Sequence, residues 1–344
     1  MANVLDLRRR IRSVRSTRQI TKAMKMVSAA KLRRAQDRAL AARPYAQMLN
    51  NVLKSLVSRA DVYDPETGQP KHPLLMKRPE NRVLLIVLTG DKGLAGAFNA
   101  NILKAAHRFI AEKEGRTIDI VSVGRKAREY YRRRYPVVKR GDERAGEIQV
   151  LAEQVDYLSH MDFAEANRVA GVVIDAYTKE EIDSVYVIYN EFKSVISQRL
   201  VIEQVLPIEQ VAETSLIHGE APTEVERKRQ LEAAATAGVS PRTPDTREID
   251  RRAAEFATAQ VDYIYEQSPE ELFRSLLPKY VSVQLLRAAL ESVAAEHAAR
   301  MTAMDAATNN ANDMIDSLTL SMNRVRQASI TKEIIEIVSG AAAL

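Results

Sequence analysis

The feature that most constrains this chain is a long run near its C-terminus without proline or glycine. Residues 279–339 contain neither residue type, and from Leu286 to Ser329 the apolar or small side chains recur mainly at four-three spacing. That spacing keeps one stripe on one face of an α-helix. At about 1.5 Å per residue the helix would be about 90 Å long. The segment therefore predicts a helical shaft rather than an element of an ordinary compact domain.

The N-terminal segment shows a similar pattern. Its predicted seam residues are Val4, Leu7, Ile11, Val14, Thr17, Ile20, Met24 and Val27. Pro44 is the first residue that disfavours a helix interior, so we expect a kink or break there, with helix resuming to about residue 59. Two long amphipathic helices at opposite ends of one chain can pair as an antiparallel hairpin if the middle of the chain brings them together.

The middle of the chain alternates strand and helix patterns, which predicts a small, largely parallel α/β sheet. The strand at 199–208 is expected to lie beside the strand at 184–192. The other predicted strands are 83–89 and 117–124, and the predicted helices are 99–114, 125–134 and 150–178.

These patterns together predict an α/β fold with long helices. An antiparallel coiled coil is formed by residues 1–59 and 268–344, with a small Rossmann-like α/β domain at 80–208 between them. Residues 209–260 are rich in Glu, Ala, Arg, Thr and Pro and are predicted to be a surface insertion with helical pieces, partly mobile.

Positive charge is concentrated in the first helix. Residues 1–59 carry 15 lysine and arginine residues against two acids, Asp6 and Asp37, although the whole chain has a formal net charge of only +6. Such a face is either simply solvated or complementary to an acidic protein or a nucleic acid. A stand-alone nucleic-acid-binding coiled coil is disfavoured, because no recognition fold or aromatic stacking pattern accompanies the charge.

The sequence offers little support for catalysis or cofactor binding within this chain. It contains no cysteine and only five scattered histidines, so thiolate and metal sites start from weak evidence. Gly90, Gly93 and Gly96 follow a strand, but neither the Walker nor the Rossmann spacing is present. We therefore favour a tight structural turn, with a nucleotide-binding enzyme as the alternative. We expect no cofactor, no catalytic residue and no metal ligand.

The two ends of the chain bear on its surroundings. The start resembles neither a secretory signal nor a membrane span, and the alternative of a mitochondrial presequence is disfavoured by Asp6 and by the seam. No stretch of 18 consecutive apolar residues occurs, so any membrane contact would be made through partners. At the C-terminus, isoleucine and valine lie on several sides of the last helical turns, which indicates an end that is surrounded by other protein.

Four segments resemble a known family. They are ITKAMKMVSAAKLRRAQDRALAARPYA at 20–46, LTGDKGLAGAFN at 88–99, AARMTAMDAATNNANDMI at 298–315 and NRVRQASITKEIIEIVSGAAAL at 323–344, and they look like the gamma subunit of F-type ATP synthases. The resemblance covers nearly the whole chain. The insertion at 209–260 is longer than in typical bacterial relatives and lies where plastid relatives carry a redox-regulated segment. Because cysteine is absent, thiol control is excluded here.

The resemblance implies a rotary shaft that couples ion flow to ATP synthesis or hydrolysis, regulates ATPase activity and has no active site of its own. The implied partners are the alpha, beta and epsilon subunits and the membrane c-ring, with one copy of this chain per complex and with ATP, ADP and Mg bound by the partners. No nucleic acid is implied. The implied location is the cytoplasmic side of a bacterial inner membrane, as a peripheral protein.

The resemblance also implies contacts between rotor and stator. Arg326, Gln327 and Thr331 would hydrogen-bond a loop of a beta subunit, and Met24 and Lys25 would lie near acidic lever loops of the catalytic subunits.

Overall fold

The computed structural model describes residues 3–57, 66, 70–156, 162–194, 197–208, 215–220, 223–239 and 268–342. The helices are α1 (Val4–Val57), α2 (Phe98–Glu112), α3 (Arg125–Tyr131), α4 (Phe163–Thr178), α5 (Glu224–Thr236) and α6 (Pro269–Ala342), with a short 3-10 turn at Pro73–Leu75. The strands are β1 (Arg82–Leu88), β2 (Thr117–Val123), β3 (Ile148–Gln154), β4 (Ser184–Ser194), β5 (Ser197–Leu206) and β6 (Ser215–Glu220).

The two long helices pair along their length, as the sequence predicted. Helix α1 has 54 residues and α6 has 74. Their side chains meet in antiparallel order, because Arg18 contacts Asn312 whereas Lys25, further along α1, contacts Asp305, which comes earlier in α6. A helix of 74 residues is about 110 Å long. The predicted antiparallel coiled coil of terminal helices is therefore confirmed.

The six strands form one sheet between these helices, in the order β3-β2-β1-β4-β5-β6. Strands β1 to β4 pair in parallel, whereas β5 and β6 are added antiparallel. The strand pattern at 199–208 did predict the neighbour of β4. The sheet is mixed because only two residues separate β4 from β5 in the sequence, and a connection of that length can link only antiparallel strands.

Helix α6 contributes to the hydrophobic cores on both faces of the sheet. One face packs on α4, the end of α1 and residues 273–289 of α6. The other face packs on α2, α3, α5 and residues 294–301 of α6. Since alternate residues of a strand point to opposite faces, each buried strand supplies both cores. The shaft and the α/β domain are thus parts of one packed body.

The predicted helix at 150–178 is wrong in its first part. Residues 148–154 form β3, which pairs in parallel with β2, and helix α4 begins only at Phe163. Leu151, Ala152 and Glu153 have good helix propensity, but pairing with β2 and burial of Val150 override that local preference.

Of the kink or break expected at Pro44, the break is absent, since α1 continues through that residue. Proline removes one intrahelical hydrogen bond. The following turns bury Leu49, Leu53 and Leu56 in the core shared with α6. Tertiary packing on both sides of Pro44 therefore maintains the helix.

The seam of α1 departs from the predicted one after Val14. The side chains that face α6 there are Thr21, Lys25 and Ser28, all buried, whereas Ile20 and Val27 are more than half exposed. Polar residues enter the seam because α6 offers polar partners at the same level. The sequence pattern followed the apolar residues and therefore chose the wrong face over this stretch.

Candidate functional site: the shaft seam and its exposed tip

Three side-chain contacts fix the register of the two long helices. Arg18 donates to Asn312 over 3.2 Å, Thr308 donates to Thr21 over 2.8 Å, and Lys25 donates to Asp305 over 2.8 Å. The residue numbers in each pair add to 329 or 330. Val4, where α1 begins, therefore lies level with about residue 326 of α6.

The last part of α6 projects beyond the start of α1. Residues 327–342 extend past Val4 by about 24 Å at about 1.5 Å per residue. Every side chain described from 326 to 339 is exposed. The exposed large apolar residues of this tip are Ile330, Ile334, Ile335, Ile337 and Val338. An apolar helix end of this kind is stabilised when other protein surrounds it.

Arg326, Gln327 and Thr331 lie at the base of the tip. Thr331 Oγ1 donates to the carbonyl oxygen of Gln327 over 3.0 Å, a bond within the helix. The side chains of Arg326 and Gln327 make no hydrogen bond to the part of this chain that the structure describes. Because Gln327 and Thr331 are four residues apart, they share one helix face, with Arg326 beside it. The three side chains present polar groups at the surface of the shaft.

Met24 and Lys25 lie far from that group. They are level with about residue 305, and the twenty residues between there and 326 correspond to about 30 Å. Lys25 is turned into the seam, where its Nζ and the Asp305 carboxylate are each about 9% exposed. Met24 is half-buried. The structure therefore places the five predicted contact residues in two separate positions along the shaft.

Met24 lines a groove of about 460 Å³ between α1, the turn after β1 and α6. Exposed Ile20, Val27 and Leu94 form its apolar part. Lys31 and Lys92 give it positive charge, Arg300 is paired with Glu296, and no acidic residue lines it. The groove is therefore suited to an acidic segment that also carries apolar side chains.

The glycine turn after β1 is held against α6. Arg300 donates to the carbonyl oxygens of Lys92 and Gly93 over 3.3 Å and forms an ion pair with Glu296. A Cβ at Gly90 would lie 2.7 Å from the Glu296 carboxylate, so a larger residue there would push this carboxylate out of its present position. These contacts agree with the predicted structural turn.

Titratable groups at this crossing are shifted by burial. Burial, together with the nearby charges of Arg300, Lys31 and Lys92, lowers the pKa of His297 to about 4. Burial raises the pKa of Glu296, and Arg300 opposes that shift only in part. His297 is thus neutral at physiological pH and packs as part of the interface between α6 and the turn.

The remaining candidates for chemistry serve structural roles. Asp119, on β2, is buried and paired with Arg144 over 2.9 Å. Across the described part of the chain, no group of three or more histidine or acidic side chains is placed to hold a metal ion. No described helix is long and apolar enough to cross a membrane.

Known proteins are similar to this chain over nearly its whole length. A family model described as ATP synthase matches residues 3–344. The ATP synthase gamma chain of Solibacter usitatus is 47% identical over 343 residues, covering 100% of this chain and 99% of that protein.

The chain belongs to the ATP synthase gamma-chain family.

A second relative and two solved structures are also similar to most or all of this chain. The gamma chain of Desulfitobacterium hafniense is 42% identical over 345 residues, with 100% of both chains covered. A chain from the OSCP, F1 and c-ring structure of the Euglena gracilis mitochondrial ATP synthase has a TM-score of 0.53 at 20% identity, covering 99% of this chain and 94% of that chain. One from Tetrahymena thermophila has a TM-score of 0.51 at 22% identity, covering 84% and 99%. At these identities the solved structures show the fold alone.

Sequence reasoning missed one group of residues on the shaft. Asp305 contacts both Lys25 and Thr236, the latter on α5 over 3.3 Å. Arg33 of α1 also donates to the carbonyl oxygen of Gly238 over 3.2 Å. The sequence feature that could have indicated these contacts is Asp305 itself, because it is an acid in a stretch of the predicted seam that is otherwise apolar or made of small residues. These contacts attach the inserted helix α5 to both shaft helices.

Proposed function

We propose that this chain is the central rotary shaft of a bacterial F-type ATP synthase, which couples ion flow through the membrane sector to ATP synthesis or hydrolysis in partner subunits. The observation that carries the proposal is the projecting tip of α6. A shaft helix that extends about 24 Å beyond its partner and is apolar on several sides is suited to turning inside a sleeve of other protein.

The chain contributes coupling rather than chemistry. Its catalytic partners would be the alpha and beta subunits, which bind ATP, ADP and Mg. The end of the shaft away from the α6 tip would contact epsilon and the c-ring. Each complex would contain one copy of this chain. An asymmetric shaft stabilises a different conformation in each surrounding catalytic subunit, so turning it exchanges those preferences. The same contacts would let the shaft regulate ATPase activity.

Two positions along the shaft serve as contact sites in this proposal. At the base of the tip, Arg326, Gln327 and Thr331 would hydrogen-bond a beta-subunit loop. About 30 Å away along the shaft, Met24 and the basic groove beside it would contact an acidic lever loop. Opposite charges at close range would fix the orientation of that contact. Lys25 would act there from within the seam, by holding α1 against Asp305 beneath the contact surface.

The location follows from the same assembly. The protein would be peripheral, on the cytoplasmic side of a bacterial inner membrane, and would touch the membrane only through its partners. This fits the absence, in the described residues, of a helix able to cross a membrane.

Co-expression tests the proposal. This chain carries an affinity tag and is produced with alpha and beta subunits of the same organism, and ATPase activity is compared with that of the chain alone. We expect a large complex with ATPase activity that the lone chain lacks. A chain that purifies alone and leaves alpha and beta unbound would refute the shaft. The basic α1 helix would then be tested for nucleic-acid binding.

A further inference from the structure

A polar cavity of about 480 Å³ lies between the sheet, α5 and α6. Its walls come from the start of α2, from β4 and β5, from α5, and from the alanine-rich part of α6 between 299 and 306. None of its lining residues is acidic. A cavity of this size matches those that hold small organic molecules, which are commonly 300–1,000 Å³. It shares no lining residue with the groove beside Met24.

Asn190 supplies a buried polar group to the cavity. It lies on the same side of β4 as Ile188 and Phe192, which belong to the core shared with α2 and α5. The residue is only 9% exposed, and the exposed part of it lines the cavity. Its side-chain amide can therefore both donate and accept hydrogen bonds to a molecule bound there.

Helix α5 brings two polar groups without partners. The Oε1 atom of Gln230 is buried and has no hydrogen-bond partner among the described residues. Arg229 beside it is exposed, and its guanidinium forms no ion pair or hydrogen bond with the described chain. Since no acid lines the cavity, Arg229 gives it a net positive charge. The cavity thus offers a cation and amide groups at neighbouring positions.

The first turn of α2 adds a second attraction for anions. Helix α2 has 15 residues, and its N-cap residue, Ala97, provides no side-chain hydrogen bond to the first turn. The N-terminus of such a helix carries partial positive charge. Ala97, Phe98 and Asn101 all line the cavity. Arg229 and this helix end therefore favour an anionic group, whereas Asn190 and Gln230 suit a polar organic part.

We propose that this cavity binds a small organic phosphate. Its phosphate group contacts Arg229 and the start of α2, and its polar organic part contacts Asn190 and Gln230. Phosphate is favoured over carboxylate because it offers three acceptor oxygens to several donors. The bound molecule would contact α5, α6 and the sheet together, and so would fix the inserted helix to the shaft.

Titration calorimetry of the full chain tests the proposal, with AMP, ribose 5-phosphate and inorganic phosphate as probes. We expect saturable binding of at least one organic phosphate, tighter than that of inorganic phosphate. Arg229→Ala should weaken that binding about tenfold, the effect of losing one charge-assisted contact. Asn190→Ser should weaken the organic phosphate but leave inorganic phosphate unchanged.

Arg227→Ala is the matched control, because Arg227 is exposed on the same helix but does not line the cavity. Circular dichroism verifies that each variant remains folded. The proposal is overturned if neither AMP nor ribose 5-phosphate binds, or if Arg227→Ala weakens binding as much as Arg229→Ala. It is also overturned if inorganic phosphate binds as tightly as AMP and ribose 5-phosphate do. These outcomes concern the chain by itself and leave the shaft proposal unaffected.

Discussion

Lys25 on α1 and Asp305 on α6 form an ion pair across the seam, with Nζ 2.8 Å from Oδ1 and both side chains about 9% exposed. Ion pairs in water-filled surroundings contribute little, but removing one partner of a buried pair leaves an uncompensated charge. The pair therefore constrains the register of the shaft more than the surrounding small apolar residues do.

Asp305→Asn should lower the free energy of unfolding by about 3 kcal/mol, because it leaves the Lys25 ammonium buried without its counter-charge. Adding Lys25→Met should recover much of that loss. Urea denaturation of the full chain measures the cycle. Asp6→Asn serves as control, since Asp6 pairs with Arg9 at the surface over 3.9 Å and should change stability by about 0.5 kcal/mol or less. Equal effects of the two substitutions would contradict a structural role for the buried pair.

Gly90→Ala should destabilise the chain by about 1–3 kcal/mol, because the new methyl group would lie 2.7 Å from the buried Glu296 carboxylate and disturb its ion pair with Arg300. Gly93→Ala provides the comparison within the same turn. A Cβ there meets nothing within 4 Å, so the change should be neutral or slightly stabilising. Thermal unfolding of both variants measures the difference, and similar melting temperatures would show that α6 does not pack tightly on the turn.

The stability of the chain should fall as the pH is lowered from about 6.5 towards 4, in part through His297. Its pKa is lowered to about 4 by burial and by neighbouring cations, so the unfolded state binds the proton more readily than the folded state. The stabilisation is present above the unfolded pKa and is lost as the folded pKa is approached. It amounts to roughly 2–3 kcal/mol. Comparing wild type with His297→Gln isolates this residue, and the difference in unfolding free energy should change with pH by that amount. A constant difference would be the contrary result.

Arg326→Ala and Gln327→Ala should lower coupled ATP synthesis in the assembled enzyme without changing the stability of this chain. Both side chains are exposed and make no hydrogen bond to the described residues, so their loss removes only contacts with a partner. Lys332→Ala is the control. Lys332 is exposed on the same tip and pairs only with Glu336, one turn away, over 3.5 Å. ATP synthesis and hydrolysis are measured in membranes, and unchanged rates in both variants would argue against this contact.

Apolar periodicity and turn residues in the sequence predicted most of the fold. The uninterrupted C-terminal helix, the strands around Leu85 and Val187, and the pairing of β4 with β5 all follow from apolar periodicity and turn residues. Residues 150–154 were misassigned because helix propensity and edge-strand burial favoured different structures there, and pairing with β2 decided the outcome. The predicted domain limits and the contact residues of the shaft remain predictions.

The seam of α1 shows where local pattern reasoning reaches its limit. The apolar series through Ile20, Met24 and Val27 defines a face of the helix, but not the molecule that covers it. Within this chain the covered face is the neighbouring one with Thr21 and Lys25. In the shaft proposed here, the apolar face would be covered by other subunits. An apolar face can be buried either by α6 of the same chain or by another subunit. The sequence pattern is the same in both cases and does not distinguish between them.

The sequence by itself determined that the chain has two long helices around an α/β domain, an end that is apolar on several sides and no conventional catalytic motif. Those properties depend on the periodicity and chemistry of neighbouring residues. Tertiary structure decided the register of α1 against α6, the docking of α5 at Asp305 and the polar cavity between them. Each of these depends on side chains far apart in sequence, such as Lys25 and Asp305, whose partners are selected only when the helices pack.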